Sequence, residues 1–168
     1  MTLTRRSPGG RLLRPRDRIA IALVVLAGAA LRLRSALGTF VAPDEAIVLG
    51  ISAGRGPAEI CDASLSNPHP PLVYLLLSAW LRLGRGDLLV RLLPILLTSL
   101  ALVLMWRTAS ALLGRSRALF GVALVAASPT LVPATTEVRP YPLLLLLAAA
   151  SVEALRRATG PVAERRRP

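Results

Sequence analysis

Lysine does not occur in this 168-residue chain, and cysteine and histidine occur once each, as Cys61 and His69. One cysteine excludes an internal disulfide and a cysteine-built metal cluster, and one histidine excludes a multi-histidine metal site. A metal would then depend on carboxylates, and nine acidic residues without a clustered ladder lead to the expectation that no metal and no cofactor is required. Aromatic residues are also scarce, with two Phe, two Tyr and two Trp. No basic segment interleaves with them as a base-stacking surface needs, so the positive balance does not describe a nucleic-acid partner.

Apolar residues are plentiful: they make up 54% of the chain, and the mean hydropathy is +0.58. All 21 basic residues are arginine, and they flank apolar segments, the pattern of membrane topology signals. The chain therefore reads as an all-α integral membrane protein with about four transmembrane helices plus external juxtamembrane helices. Residues 1–18 form an Arg-rich cytoplasmic tail. Residues 19–34 form the first span: its apolar core, Ile19 to Leu31, is short, but Arg32 and Arg34 can snorkel to the interface. A secretory signal peptide competes for this stretch, because Ala27-Gly28-Ala29 has the outline of a cleavage site.

Residues 35–87 form a long extracytoplasmic loop. It carries Asp44-Glu45 directly after the first span, and Asn67-Pro68-His69-Pro70-Pro71 before an apolar stretch from Leu72 to Leu83. Carboxylates at a membrane boundary are a functional-site signal, while Pro43-Asp44-Glu45 also suits the first turn of a helix. Pro71 suits the first position of the next helix, whose length is too small for an easy crossing. Residues 88–106 are the second span, with Pro94 a kink; 107–117 are a cytoplasmic loop, 118–136 the third span, 137–141 an external turn, 142–157 the fourth span, and 158–168 a disordered tail.

Four crossings keep both termini and the Arg107 to Arg117 segment inside the cytoplasmic membrane, as the positive-inside rule requires. A fifth crossing after His69 would reverse this. With four, three polar clusters share one membrane face: Asp44-Glu45, Asn67 to Pro71, and Glu137-Val138-Arg139-Pro140-Tyr141. Each also has a plain explanation. His69 suits a Pro-rich turn, Glu137 and Arg139 suit a helix end, and Tyr141 suits an interfacial aromatic belt.

An Asp-Glu in the first external loop, His-Pro-Pro-Leu before an apolar helix, and Glu-x-Arg-Pro-Tyr after the third span together resemble the N-terminal part of GT-C type membrane glycosyltransferases. The resemblance is to the protein-mannosyltransferase-like and aminoarabinose-transferase-like superfamily, including rhizobial lipopolysaccharide transferases. Asp87 to Pro94 and Leu113-Gly114-Arg115 are similar to that family's second-span start and cytoplasmic turn, and the likeness covers about Arg32 to Arg157. It implies transfer of a sugar from a polyprenyl-phosphate carrier to a hydroxyl on lipid, glycan or protein, at the extracytoplasmic face of the cell envelope. It also implies Asp44 as general base with Glu45 orienting or tuning it. Arg139, with Arg32 or Arg34, would hold the departing phosphate, and His69, Glu137 and Tyr141 would contact substrate.

Relatives carry many more spans than this chain, which is expected to be the front part of such an enzyme, completed by a missing C-terminal half or a membrane partner. The competing reading is a non-catalytic membrane protein or partner subunit. A transporter fragment is disfavoured, because Glu153, the one carboxylate in a span, lies near a cytoplasmic end.

Overall fold

The computed structural model describes residues 14–53, 56–67 and 69–159. The expected Arg-rich tail up to residue 13, Pro68 of the His-Pro-Pro motif and the expected disordered end from residue 160 lie outside them. The described residues form eight helices and no strand: α1 Pro15–Leu37, α2 Pro43–Ser52, α3 Pro57–Ser64, α4 Pro71–Leu81, α5 Asp87–Leu113, α6 Arg115–Ala126, α7 Leu131–Ala134 and α8 Tyr141–Ala158.

Proline sets several of the starts. Pro15, Pro43, Pro57 and Pro71 each occupy the first turn of a helix, where a fixed φ is useful and the missing N–H costs nothing. Acidic side chains in the first turns of α1, α2, α3 and α5 add a favourable interaction with the helix dipole. Gly114 separates α5 from α6 at φ +86°, a left-handed backbone that glycine adopts without strain.

Two described helices, α1 and α5, are long and apolar enough to cross a membrane. At 1.5 Å per residue they reach about 34 and about 40 Å. The other two expected spans are built differently. The third is broken: α6 stops at Ala126, Ala127 to Thr130 make a turn, and α7 follows. Pro129 disfavours helix at Ser128 and supplies no N–H, which is why nineteen uncharged residues do not give one continuous helix. The fourth, α8, has 18 residues but spends three of them on Glu153, Arg156 and Arg157. Residues 107–113, expected in a loop, extend α5 instead.

Helices α1, α5, α6 and α8 form a bundle in which α5 contacts all three others. Its register is visible at two levels. A Cβ placed on Gly28 would lie 3.2 Å from the Cβ of Ala126 and 3.5 Å from Leu102, so α1 approaches α6 and α5 closely there. One end further, Arg91 Nη2 donates to the Thr39 carbonyl at 3.3 Å. Thus α1 runs antiparallel to α5. In contrast, α8 runs parallel to α5, because Val90 and Leu93 pack with Leu143 at one end while Thr108 meets Glu153 at the other.

The core is split along this axis. Ile21, Leu102, Trp106, Ala118, Val122 and Ala126 fill the end where α1 and α6 begin. The other end is filled by α2, α3 and α4 packed on the starts of α5 and α8, through Val48, Ile60, Tyr74, Leu77, Val90 and Leu143. Helix α4 spans only about 16 Å by its 11 residues, and Trp80 Nε1 donates to the Leu89 carbonyl at 2.8 Å. It folds back on the start of α5 and stays at one end of the bundle. Burial pushes the Tyr74 phenol above its ordinary pKa in this core.

Candidate functional site

Asp44 and Glu45 are neighbours in the first turn of α2 with opposite environments. Glu45 is 1% exposed. Its Oε2 accepts from the Ala42 N–H at 2.8 Å, the glutamate half of a capping box, and its Oε1 accepts from the Val138 N–H at 2.7 Å. Arg91 Nη2 lies 3.7 Å from Oε2. One buried carboxylate therefore ties the start of α2 to α5 and to the turn before α8. Its oxygens are already engaged by protein donors, and Glu45 is not part of the lining of the cleft beside Asp44.

Asp44, one residue earlier, projects outward with 66% of its side chain exposed. Arg139 Nη2 donates to it, and Arg139 Nε sits 3.1 Å from Glu137 Oε2. The turn carrying Arg139 is held by the Glu45 contact at Val138, so the buried carboxylate also sets the position of the exposed pair. Burial opposes the Arg139 charge, but the Tyr141 hydrogen bond and the carboxylates of Glu137 and Asp44 outweigh it and hold the guanidinium above the ordinary arginine pKa. Arg139 is a permanent cation.

A cleft of about 270 Å³ opens beside this pair, lined by Asp44, Ile47, Val48, Asn67, His69 and Arg139. Residues separated by up to 95 positions in sequence thus share one wall. A carboxylate that can take a proton and a guanidinium that can bind an anion face the same space, and Asn67 and His69 add polar donors from the loop before α4. Tyr141 begins α8 beside Arg139 and is 44% exposed.

The structure does not bring Arg32 or Arg34 to the cleft lining. Arg32 is 1% exposed, and its guanidinium donates to Thr135 Oγ1 at 2.8 Å and to the carbonyls of Gly28 and Ala126 at 3.0 Å. Those bonds join α1 to the broken α6–α7 segment. The expectation that Arg32 holds a substrate phosphate gives way to a structural tie, because the head group points into the bundle. Arg34 is exposed in the last turn of α1, where a cation suits the helix dipole.

Sequence reasoning left Arg91 outside the site. Its side chain is 2% exposed and bridges Thr39, Glu45 and Asp87. An arginine one turn inside an apolar segment, four residues after an aspartate, was the available signal. Asn67 was named only within its motif. The Val138 N–H carries no signal in sequence, because a backbone donor is available at every residue except proline.

Among the described residues no group of three or more His, Cys, Asp or Glu side chains is arranged to hold a metal ion. No curated protein and no solved structure matches the chain. The model of one protein family does, that of the dolichyl-phosphate-mannose-protein mannosyltransferases, over residues 68–163. The matched segment includes His69, Arg91, Arg139 and Tyr141 and begins after Asp44. It covers more than half of the sequence, and the chain belongs to the dolichyl-phosphate-mannose-protein mannosyltransferase family.

Proposed function

We propose that this chain is part of a membrane glycosyltransferase that moves a sugar from a polyprenyl-phosphate carrier to a hydroxyl of a lipid, glycan or protein at the extracytoplasmic face. The observation that carries the reading is the convergence of Asp44, Arg139 and His69 on one cleft. Family membership supports the general activity and the membrane setting, and the reaction assigns the parts.

In the transfer step the acceptor oxygen bonds to the anomeric carbon as the bond from that carbon to the phosphate oxygen breaks. The acceptor proton passes to the Asp44 carboxylate, and the polyprenyl phosphate departs with the bonding electron pair. Arg139 stabilises the charge that develops there. A donor phosphate entering beside Arg139 competes with Asp44 for the guanidinium, which frees the carboxylate for the proton. Glu137 and Tyr141 hold Arg139 in place, while His69 and Asn67 contact the sugar or acceptor.

This assignment is tested first by binding. The chain in detergent is titrated with polyprenyl phosphate, and Arg139→Gln is expected to weaken binding about tenfold, the scale of one charge-assisted contact. Equal affinity for both proteins removes Arg139 from the phosphate site.

The topology belongs to the same proposal. Four passes, through α1, α5, the α6–α7 segment and α8, put the cleft on the extracytoplasmic side and both termini in the cytoplasm. The antiparallel register and the Arg-rich opposite end support this arrangement. Cys61, the single cysteine, lies part-exposed in α3 at the cleft end. A membrane-impermeant maleimide is expected to label it in intact cells. Labelling only after the membrane is opened would reverse the orientation.

A further inference from the structure

The end of the bundle opposite the cleft carries a second charged cluster, which the transfer chemistry does not use. Glu153 of α8 has a side chain only 4% exposed. Arg156 grips it with two bonds, Nε to Oε2 at 2.7 Å and Nη2 to Oε1 at 2.9 Å. Thr108 Oγ1 donates to Oε2 at 2.9 Å, and Arg157 Nε donates to Oε1 at 2.8 Å. Arg107 of α5 approaches the same carboxylate with Nε at 3.9 Å.

One carboxylate thus serves three guanidinium groups, and two positive charges remain in excess. The excess is not spread evenly. Arg156 is committed to Glu153 in bidentate fashion, whereas Arg107 and Arg157 engage it through Nε and keep 50% and 55% of their side chains exposed. Two forked cations from two helices are therefore held next to each other by a shared buried anion. Leu100 and Leu96, 51% and 52% exposed, lie two and three turns back from Arg107 along the same face of α5. Cationic forks above exposed apolar side chains suit an amphiphile with an anionic head.

We propose that Arg107 and Arg157, prearranged by Glu153, bind the phosphodiester headgroup of an anionic phospholipid whose acyl chains lie along Leu100 and Leu96. Guanidinium forks match phosphate oxygens in geometry, and their positions are set before the lipid arrives. The site anchors the paired ends of α5 and α8 in the leaflet opposite the cleft. The proposal rests on the membrane-embedded reading of the chain; it needs neither the transfer reaction nor a particular orientation.

The experiment measures thermal unfolding of the full chain in neutral detergent with added phosphatidylglycerol, phosphatidylcholine or inorganic phosphate, each at matched phosphate concentration. Phosphatidylglycerol is expected to raise the transition temperature and the other two to leave it unchanged. Arg107→Gln/Arg157→Gln is expected to weaken the apparent lipid affinity about 10- to 30-fold, on the scale of two interfacial arginines. Arg82→Gln/Arg85→Gln, which removes the same charge at the other end of the bundle, is expected to respond as the wild type does.

Phosphatidylcholine matching phosphatidylglycerol overturns the proposal, as does an equal loss in both double variants, which would mean bulk charge alone. Inorganic phosphate reproducing the shift would make this a free-anion site and overturn the lipid assignment. If the Arg107/Arg157 variant does not fold, native mass spectrometry of the wild type decides. Retention of phosphatidylglycerol over phosphatidylcholine supports the site, and equal retention ends it. No readout involves sugar transfer, so failure of that reading leaves this result intact.

Discussion

Asp44→Asn is expected to lower sugar transfer by about 10²- to 10⁴-fold while leaving membrane insertion and thermal stability close to wild type. The amide keeps the shape of the carboxylate but cannot take the acceptor proton. The structural cost is small because the Asp44 side chain is 66% exposed and its ion pair with Arg139 is a surface one. Arg139 also keeps Glu137 and Tyr141 as partners. The measurement is transfer of radiolabelled sugar from whichever polyprenyl-phosphate sugar the wild-type membranes use, by membranes containing the native product, with the quantity of inserted protein checked by immunoblot. Transfer that falls with insertion intact assigns the base to Asp44. Unchanged transfer removes Asp44 from the mechanism and leaves the carboxylate as a helix-start residue.

Glu45→Ala is expected to have the opposite profile, a loss of fold before any loss of chemistry. The substitution removes a carboxylate that accepts from Ala42 and Val138 and lies 3.7 Å from the buried Arg91 guanidinium. Breaking a buried pair on one side costs about 3 to 5 kcal/mol, and the lower end applies here, because Arg91 keeps Asp87 at 3.4 Å and the Thr39 carbonyl while the Ala42 and Val138 N–H groups lose their acceptor. The turn at Val138 would also lose its anchor, so Arg139 would no longer be held against Asp44. Glu45→Gln keeps one acceptor oxygen for a backbone N–H and is expected to cost less, about 1 to 3 kcal/mol. Thermal unfolding in detergent orders the three proteins as wild type, Gln, then Ala. An Ala variant as stable as the wild type would show that Glu45 does not support the fold.

The two neighbouring carboxylates show why half of the site was legible in sequence. Asp44-Glu45 at the exit of an apolar segment marks a place, because acidic side chains near hydrocarbon are costly to keep. The pair gives no indication of which member faces solvent. That follows from the helix turning about 100° per residue: Glu45 goes inward to Val138 and Arg91, and Asp44 outward to Arg139. Arg32 makes the same point in reverse. Its position at the end of the first apolar run suggested a head group at the interface, yet Gly28 and Ala126 let α1 and α6 approach closely enough to supply carbonyl acceptors inside the bundle.

Length and hydropathy were enough to indicate a helical chain with segments apolar enough to cross a membrane, and Pro71 marked the first residue of α4. The break between α6 and α7 was also present in the sequence as Ser128-Pro129, but nineteen uncharged residues outweighed it.

The sequence by itself determined the helical class, the apolar segments α1 and α5, and the three polar clusters, because these depend on local composition, proline geometry and polar residues adjacent in the chain. Only the tertiary structure decided that Asp44, Arg139 and His69 share a cleft, that Glu45 and Arg32 are buried ties, and that Arg107 and Arg157 stand together. Those facts depend on contacts between residues far apart in the chain, set by the register between helices and by backbone donors such as the Val138 N–H. No local pattern of residue types encodes them.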